Sequence, residues 1–321
     1  MRGRAELLAD RGAAAAGTEF FRSRPFLEAE GVTHTLRVEA RAGGRAVELL
    51  APLIVREVDA APGPEPPRDA ISPYGYPGLV PAAPGAAPDE PLDPGEIDWR
   101  PTGLVSIFLR HTLGEPPLAG TTERNVVQIA DPALPRKSRP ADRRQVRRNL
   151  EAGYRTELVP GPRASAAQRA GFLDLYEQTM RRTGAAERYF FGAAWFDRVL
   201  AAEGTWLALA YAPDGEPAAA SIAAASDGYL HYYLSGTADS RLRESPMKNV
   251  VTLLVDHAAA LGLPLNLGGG IRPGDALEEF KRGFANRRLA WRTSELVCDP
   301  ERYAALSRGA QAGGFFPAYR A

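Results

Sequence analysis

Arginine is the default cation of this chain, since of its 39 Lys and Arg residues only three are lysine: Lys137, Lys248 and Lys281. A lysine supplies what a guanidinium cannot, a compact, rotatable charge that can sit against a single oxygen and lose its proton when desolvated. Lys281 lies in Phe280-Lys-Arg-Gly-Phe284, a short helical run that follows an apolar segment and the three glycines Gly268, Gly269 and Gly270. Lys248 precedes Asn249 at a proline-marked helix start, Pro246-Met-Lys-Asn249. Glycines that free the backbone, with a nearby ammonium, suit an oxyanion or a phosphate. The plainer alternatives are a bare tight turn and two surface lysines. Tyr232 and Tyr233 are adjacent in a strand pattern and point to opposite faces, so at most one can face a cleft. Tyr74 and Tyr76 alternate with Gly75 between prolines, on a rigid turn that either lines a ligand cleft or covers the core.

Charge is unevenly distributed although the net charge is zero. Residues 1–135 are acidic on balance, and the basic surplus is concentrated between Arg136 and Arg148, where a single Asp accompanies seven cations. This stretch, with Arg143, Arg144, Arg147 and Arg148 on a helix, and Arg241 farther on, reads as a phosphate or nucleic-acid footprint or as a solvated helix face paired with acids. The four histidines have no companion pattern; His231, in a strand, is either a base or a packed residue. The single cysteine, Cys298, excludes an internal disulfide and a cysteine metal cluster, and reads as a small apolar strand residue. No metal site is expected.

A chain of 321 residues, 45% hydrophobic and 24% charged, is expected to fold as two domains of roughly 150 residues each. No apolar run approaches the ~20 residues that span a bilayer. Glu6, Asp10 and Arg11 interrupt what would be the core of a signal peptide, so no membrane insertion and a cytoplasmic protein are expected.

The elements that must position these residues follow from periodicity and turn chemistry. A short helix is expected around Phe20, Phe21 and Phe26, then a hairpin of Val32 to Ala40 and Ala46 to Arg56 about Gly43-Gly44. The stretch Ala60 to Gly95 is rich in proline and glycine and reads as a long functional loop, followed by apolar runs at Leu104 to Arg110 and Val126 to Ala130. Beyond the basic helix, which stops at Gly153, Ser165 and Gln168 form a capping box that opens a long helix. The predicted order from there is β-α-α-β-β-β-α-β-α-β, with strands at Thr156 to Val159, Trp206 to Tyr211, Ala218 to Ala225, Tyr229 to Leu234, Pro264 to Leu267 and Leu289 to Cys298.

That order resembles the GNAT acyltransferase fold, an α/β (α+β mixed sheet) architecture whose fourth and fifth strands splay apart where the reacting groups meet. Tyr232-Tyr-Leu-Ser-Gly-Thr237, Pro246-Met-Lys-Asn249, Leu267-Gly-Gly-Gly270, Phe280-Lys-Arg-Gly-Phe284, Ser72-Pro-Tyr-Gly-Tyr-Pro-Gly78 and Val105-Ser-Ile-Phe-Leu-Arg110 together resemble the FemAB/FemX-like branch. The resemblance implies two GNAT-like domains in tandem, a degenerate first one over 1–135, completed by 294–321, and a fuller second one over 136–293. The coiled-coil arm of some members has no room between Gly153 and Phe191. The implied activity is transfer of an aminoacyl group from aminoacyl-tRNA to an amine of a peptide, peptidoglycan precursor or natural-product intermediate, by a monomer or weak dimer with no resident cofactor. It places Lys281, Tyr232 and Tyr233 at the reacting centre, and Tyr74, Tyr76, Lys248, Asn249, Gly268 to Gly270, Phe280 and Phe284 around the substrate.

The donor can be weighed from residues. Coenzyme A users resemble Arg/Gln-x-x-Gly-x-Gly/Ala between the fourth strand and the next helix, where backbone N–H groups cradle pyrophosphate. Counted from Arg241, the two glycine positions hold Glu244, which repels phosphate, and Pro246, which lacks a donor. An aminoacyl ester needs no further activation, only a charge to hold the tetrahedral oxyanion, for which Lys281 is the candidate. No histidine is well placed as a base, and the leaving 3′-oxygen can accept the proton instead. Two alternatives remain, an acyl-CoA N-acyltransferase of the same fold and a ligand-binding protein without catalysis.

Overall fold

The computed structural model describes residues 3–14, 19–58, 66–83, 85–310 and 314–321. The chain forms two compact units, one built from 21–124 and 290–321 with the start of the chain, the other from 125–289 with Glu19 and Phe20. Each is a mixed sheet with helices.

In the first unit, strands β1 (Gly3–Leu8), β2 (His34–Ala42) and β3 (Arg45–Glu57) form an antiparallel meander, with α1 (Arg24–Ala29) between β1 and β2. The hairpin turn is Gly43-Gly44, both with positive φ, where glycine avoids the steric cost of other residues. β4 (Arg68–Ile71), β5 (Val80–Pro81), β6 (Ile97–Asp98) and β7 (Ser106–Arg110) follow, β4 antiparallel to β3 and parallel to β7. Four of these strands depart from expectation, the two-residue β5 and β6 and two longer ones. β1 occupies the segment weighed only as a leader, and β4 lies inside the stretch read as one long loop. Both are short, and β4 has no alternating run to announce it; its place is set by ladders to distant strands. The core holds Leu36, Val38, Leu49, Leu53, Ile107, Leu109 and Trp99. Cys298 joins that core as a packed thiol, and burial pushes it up to about 12.

β8 (Thr122–Ala130) carries the chain toward the second unit. There α2 (Pro140–Glu151) is followed by β9 (Arg155–Pro160), α3 (Ala166–Arg182), α4 (Ala193–Leu200), β10 (Thr205–Tyr211), β11 (Pro217–Ser226) and β12 (Tyr229–Thr237). Then come α5 (Met247–Leu261), β13 (Leu265–Gly268), α6 (Ala276–Arg282) and β14 (Arg287–Val297), which returns the chain to the first unit and to α7 (Pro300–Leu306). The predicted element order holds. The capping box forms in full, Ser165 Oγ accepting from the Gln168 N–H and the Gln168 side chain accepting from the Ser165 N–H.

β9 to β12 run antiparallel in sequence order, β13 is parallel to β12, and β8 is antiparallel to β13. α5 lays Val250, Val251, Leu254 and Ala258 onto a sheet face made close by the small side chains of Ala208, Ala210, Ala219 and Ala223. It ends at Gly262 in the left-handed region, as an αL cap requires. α3 approaches β12 so tightly that a Cβ on Gly236 would lie 2.3 Å from the Leu175 carbonyl carbon. Helix backbone cannot yield as a side chain can. Gly236→Ala should therefore destabilise the second unit by ~1–3 kcal/mol through overpacking, read as a fall in thermal midpoint; an unchanged midpoint would mean that α3 shifts freely.

Candidate active site

β12 and β13 pair through only two registers, Leu230 with Leu265 and His231 with Asn266. β12 then continues to Thr237 while β13 stops at Gly268. The parallel pair thus opens just where the glycine turn begins.

The turn is built from polar contacts that are part-buried at Gly268 and Gly270 and exposed at Ile271 and Arg272. Gly268 has φ +74°, a left-handed conformation that suits glycine. The Gly268 N–H donates to Asn266 Oδ1 at 2.9 Å, and Asn125 Nδ2 donates to the Gly270 carbonyl at 2.9 Å. Asp275 caps α6 by accepting from the Glu278 N–H at 2.8 Å, and its other oxygen accepts from the N–H groups of Ile271 and Arg272. These backbone donors hold its carboxyl below the usual range. Added Cβ atoms on Gly269 and Gly270 would come within 2.4 Å of Asn125 Oδ1 and Asp275 Oδ1. These two glycines therefore serve the turn's own packing, a physical reason different from the approach of a substrate backbone.

Lys281 completes the turn. It is 8% exposed although it sits on a short helix, and its Nζ donates to the Gly269 carbonyl at 2.7 Å. A Cβ on Gly268 would lie 3.1 Å from the same Nζ. Burial pulls the ammonium down to about 8, offset in part by Asp275. It is therefore charged at neutral pH, yet close to releasing its proton.

Behind this turn a histidine and an asparagine set the geometry. His231 is buried, its Nε2 donating to the Ser226 carbonyl at 3.2 Å and its Nδ1 accepting from Asn266 Nδ2 at 3.0 Å. Both ring nitrogens are engaged in the neutral tautomer, and burial holds the imidazole at about 4, with the Ser226 carbonyl and Asp227 opposing. Of its two readings, the packed residue is the one observed.

The remaining candidates fall into separate settings. Tyr232 and Tyr233 do face opposite sides. Tyr232 packs against the α5 core, its hydroxyl donating to Ser235 Oγ at 2.6 Å, and burial pushes it up to about 12. Tyr233 falls at the register shift between β11 and β12 and packs against Phe20 and Trp195. Phe284 is a core residue, edge-on to Phe280, which also packs on that core. Asn249 is buried, its Oδ1 accepting from Asn149 Nδ2 at 2.7 Å, so it joins α5 to α2. Lys248 pairs with Asp142 of α2 at 2.9 Å. Arg143, Arg144, Arg147 and Arg148 are exposed on α2, where Arg147 lies near Glu151 and Arg148 bonds Gln145; Arg241 pairs with Asp214. Tyr74 and Tyr76 belong to the first unit, where Tyr76 packs edge-on against Phe21 and Trp291, and Tyr74 is 38% exposed. Sequence reasoning missed Asn125, Asn266, Asp275 and Asp142; of these only Asp275, three residues before Glu278, carries a local signal, that of an N-cap. No cluster of three or more His, Cys, Asp or Glu able to hold a metal occurs among the described residues, and no described helix is long and apolar enough to cross a membrane.

Two titrations follow from burial. For Lys281 the unfolded chain holds a proton between pH 8 and 10.5 that the folded chain lacks, so stability rises through that window and the penalty is complete below pH 8. Lys281→Met should raise stability at pH 7 by up to ~3 kcal/mol, with the gain shrinking as pH rises from about 8 to 10.5; a lower thermal midpoint at pH 7 would show the Gly269 bond to outweigh desolvation. For His231 the unfolded chain takes up a proton between pH 6.5 and about 4 that the folded chain refuses, so stability is lost as pH falls through that window. An NMR titration should find His231 neutral down to about pH 5. An inflection near 6.5 would contradict its sealed environment.

Comparison with known proteins agrees with this geometry. Residues 136–282 match the family model described as an acetyltransferase (GNAT) domain. FemX has a similar structure, with a TM-score of 0.60, 10% sequence identity, and 92% of this chain and 96% of that chain covered. The C-terminal domain of a putative lysylphosphatidylglycerol synthetase from Agrobacterium fabrum follows at TM-score 0.54 and 11% identity, covering 92% and 91%. L-PGS from Bacillus licheniformis gives 0.51 and 13%, covering 88% and 94%. No curated protein matches the sequence. Residues 136–282 thus match a GNAT domain model, and the chain as a whole has a FemX-like fold.

Proposed function

We propose that this protein is an aminoacyltransferase that moves an aminoacyl group from aminoacyl-tRNA to an amine of a peptide, peptidoglycan precursor or natural-product intermediate. The observation that carries this reading is the state of the turn before α5. Ser245 has φ +49°, and the N–H groups of Lys248, Asn249 and Val250 bond back to the carbonyls of Ser245 and Pro246 at 3.0, 2.9 and 3.3 Å. The Glu244 carbonyl accepts from Gln145 and Asn149, and Lys248 is paired with Asp142. Backbone donors that would cradle a pyrophosphate are thus engaged within the protein, which disfavours coenzyme A as donor. The neighbour named as a putative lysylphosphatidylglycerol synthetase makes aminoacyl transfer a natural chemistry for this fold.

In the proposed reaction the acceptor nitrogen attacks the ester carbonyl carbon, and the carbonyl oxygen becomes an oxyanion. The Lys281 ammonium, buried and charged at neutral pH, is suited to stabilise it. Collapse forms the amide, breaks the bond to the 3′-oxygen, and transfers the proton shed by the amine to that oxygen. His231 takes no part, since both its nitrogens are engaged. Tyr232 stays protonated, with its hydroxyl given to Ser235 Oγ, so it does not serve as a base.

Charged tRNA offered with a panel of amines should yield a ribonuclease-sensitive amide product. Activity with acyl-CoA alone would replace this reading by the acyl-CoA one. Lys281→Met should lower kcat by about 10²–10³-fold while the fold stays intact; an unchanged rate would remove Lys281 from the chemistry.

A further inference from the structure

His231 and Asn266 face each other at the last paired register of β12 and β13, beyond which the two strands part. Both are buried, at strand positions that ordinarily carry an aliphatic side chain. Two polar side chains there must satisfy their hydrogen bonds inside the protein. Their bonds to each other and to the turn fit one arrangement. The Gly268 N–H, 2.9 Å from the Asn266 carboxamide, is a donor and so fixes Oδ1 on that side. Asn266 Nδ2 is thereby turned to His231, 3.0 Å away, and needs an acceptor, so His231 Nδ1 carries no proton. The ring hydrogen lies on Nε2, which donates to the Ser226 carbonyl at 3.2 Å.

This series of donors and acceptors ends at the glycine turn. Asn266 closes an Asx-type turn onto the residue two ahead of it, and that residue, Gly268, holds φ +74°. The Lys281 ammonium meets the same turn at two points. Its Nζ donates to the Gly269 carbonyl at 2.7 Å, and it lies 3.1 Å from the place that a Gly268 Cβ would take. A change in the backbone at Gly268 therefore moves both the acceptor and the space of the ammonium. Asn125 and Asp275 hold the turn farther on, at Gly270 and at Ile271 and Arg272.

On the reading that Lys281 holds the oxyanion, we propose that Asn266, oriented by His231, is a positioning residue of the acyl transfer: it fixes the Gly268 turn against which the Lys281 ammonium is placed. It acts through Lys281 and not on the reacting atoms. Its contribution to the rate accordingly vanishes when that lysine is replaced.

Because the chain has only three lysines, NMR of the full chain carrying lysine labelled with ¹³C at Cε gives each its own signal, and Lys281→Met identifies the one that matters. In Asn266→Ala and in His231→Leu, water enters the loosened turn, so Lys281 should titrate about one pH unit closer to the ordinary lysine value. Lys137 and Lys248 should keep theirs. Asn266→Ala should lower kcat with aminoacyl-tRNA about tenfold at nearly constant KM, and should cost nothing further in a Lys281→Met background. His231→Asn, whose Oδ1 takes the place of Nδ1 as acceptor, should restore most of what His231→Leu loses in both measurements. If Asn266→Ala does not fold, these two His231 variants carry the same comparison. An unmoved Lys281 titration in the folded variants, or equal losses of rate with and without Lys281, overturns the assignment of Asn266 alone. A kcat unaffected by Lys281→Met overturns the reading of Lys281 on which it rests.

Discussion

The candidate centre depends on one buried cation. Among the described residues, Lys281 makes one hydrogen bond, to the Gly269 carbonyl, in a place where little water reaches its charge. Such a group weakens the fold that contains it and is closer to losing its proton than a lysine in water. The surrounding residues can be understood as the means of keeping it there. Gly268 must lack a Cβ for the ammonium to fit, and Gly269 and Gly270 must lack one for Asn125 and Asp275 to reach the turn. Asp275, which caps α6, also supplies the negative charge that partly offsets burial.

A hydrogen-bonded sequence connects this cation to the centre of the sheet. The Ser226 carbonyl fixes the His231 tautomer, His231 orients Asn266, Asn266 holds the Gly268 N–H, and the next residue presents its carbonyl to Lys281. In a low-dielectric interior every member must be satisfied, so the geometry at each step constrains the next. The histidine that local chemistry offered as a base is instead the residue that sets the turn. Because β12 and β13 pair only at Leu230 and His231, this sequence of bonds spans the place where their ladder ends.

Close to the end of α6, where a Cβ on Gly283 would lie 2.7 Å from Asp142 Oδ2, α2 and α5 are clasped by Lys248 with Asp142 and by Asn249 with Asn149. The clasp involves two residues whose types would equally suit a ligand. Arg143, Arg144, Arg147 and Arg148 of α2 remain exposed to solvent, with Arg147 beside Glu151 and Arg148 bonded to Gln145, so this helix joins the fold through Asp142 and Asn149 and turns its arginines outward. An exposed arginine row in high dielectric contributes little to stability, which leaves it available for long-range attraction of anions.

Element order in the second unit was readable from sequence, because amphipathic period, capping residues and glycine stops are local properties. The capping box at Ser165 and the αL stop at Gly262 required no knowledge of the rest of the chain. The strands at 3–8 and 68–71 were not readable, since they are short and exist through ladders to distant segments. Residue type alone also marked Lys281, a rare lysine after three glycines. Its burial, however, came only from folding, because seven charged and apolar residues on a short helix give no sign of which side is enclosed. The partners of the site lie far off in sequence: Asn125 meets Gly270 across 145 residues, and Asn149 meets Asn249 across 100. The sequence by itself determined which segments become helices and strands and which residue types could do chemistry. Tertiary structure alone decided which polar groups lose water, and that loss of solvation is what separates a surface lysine or histidine from one held in a fixed hydrogen-bonded setting.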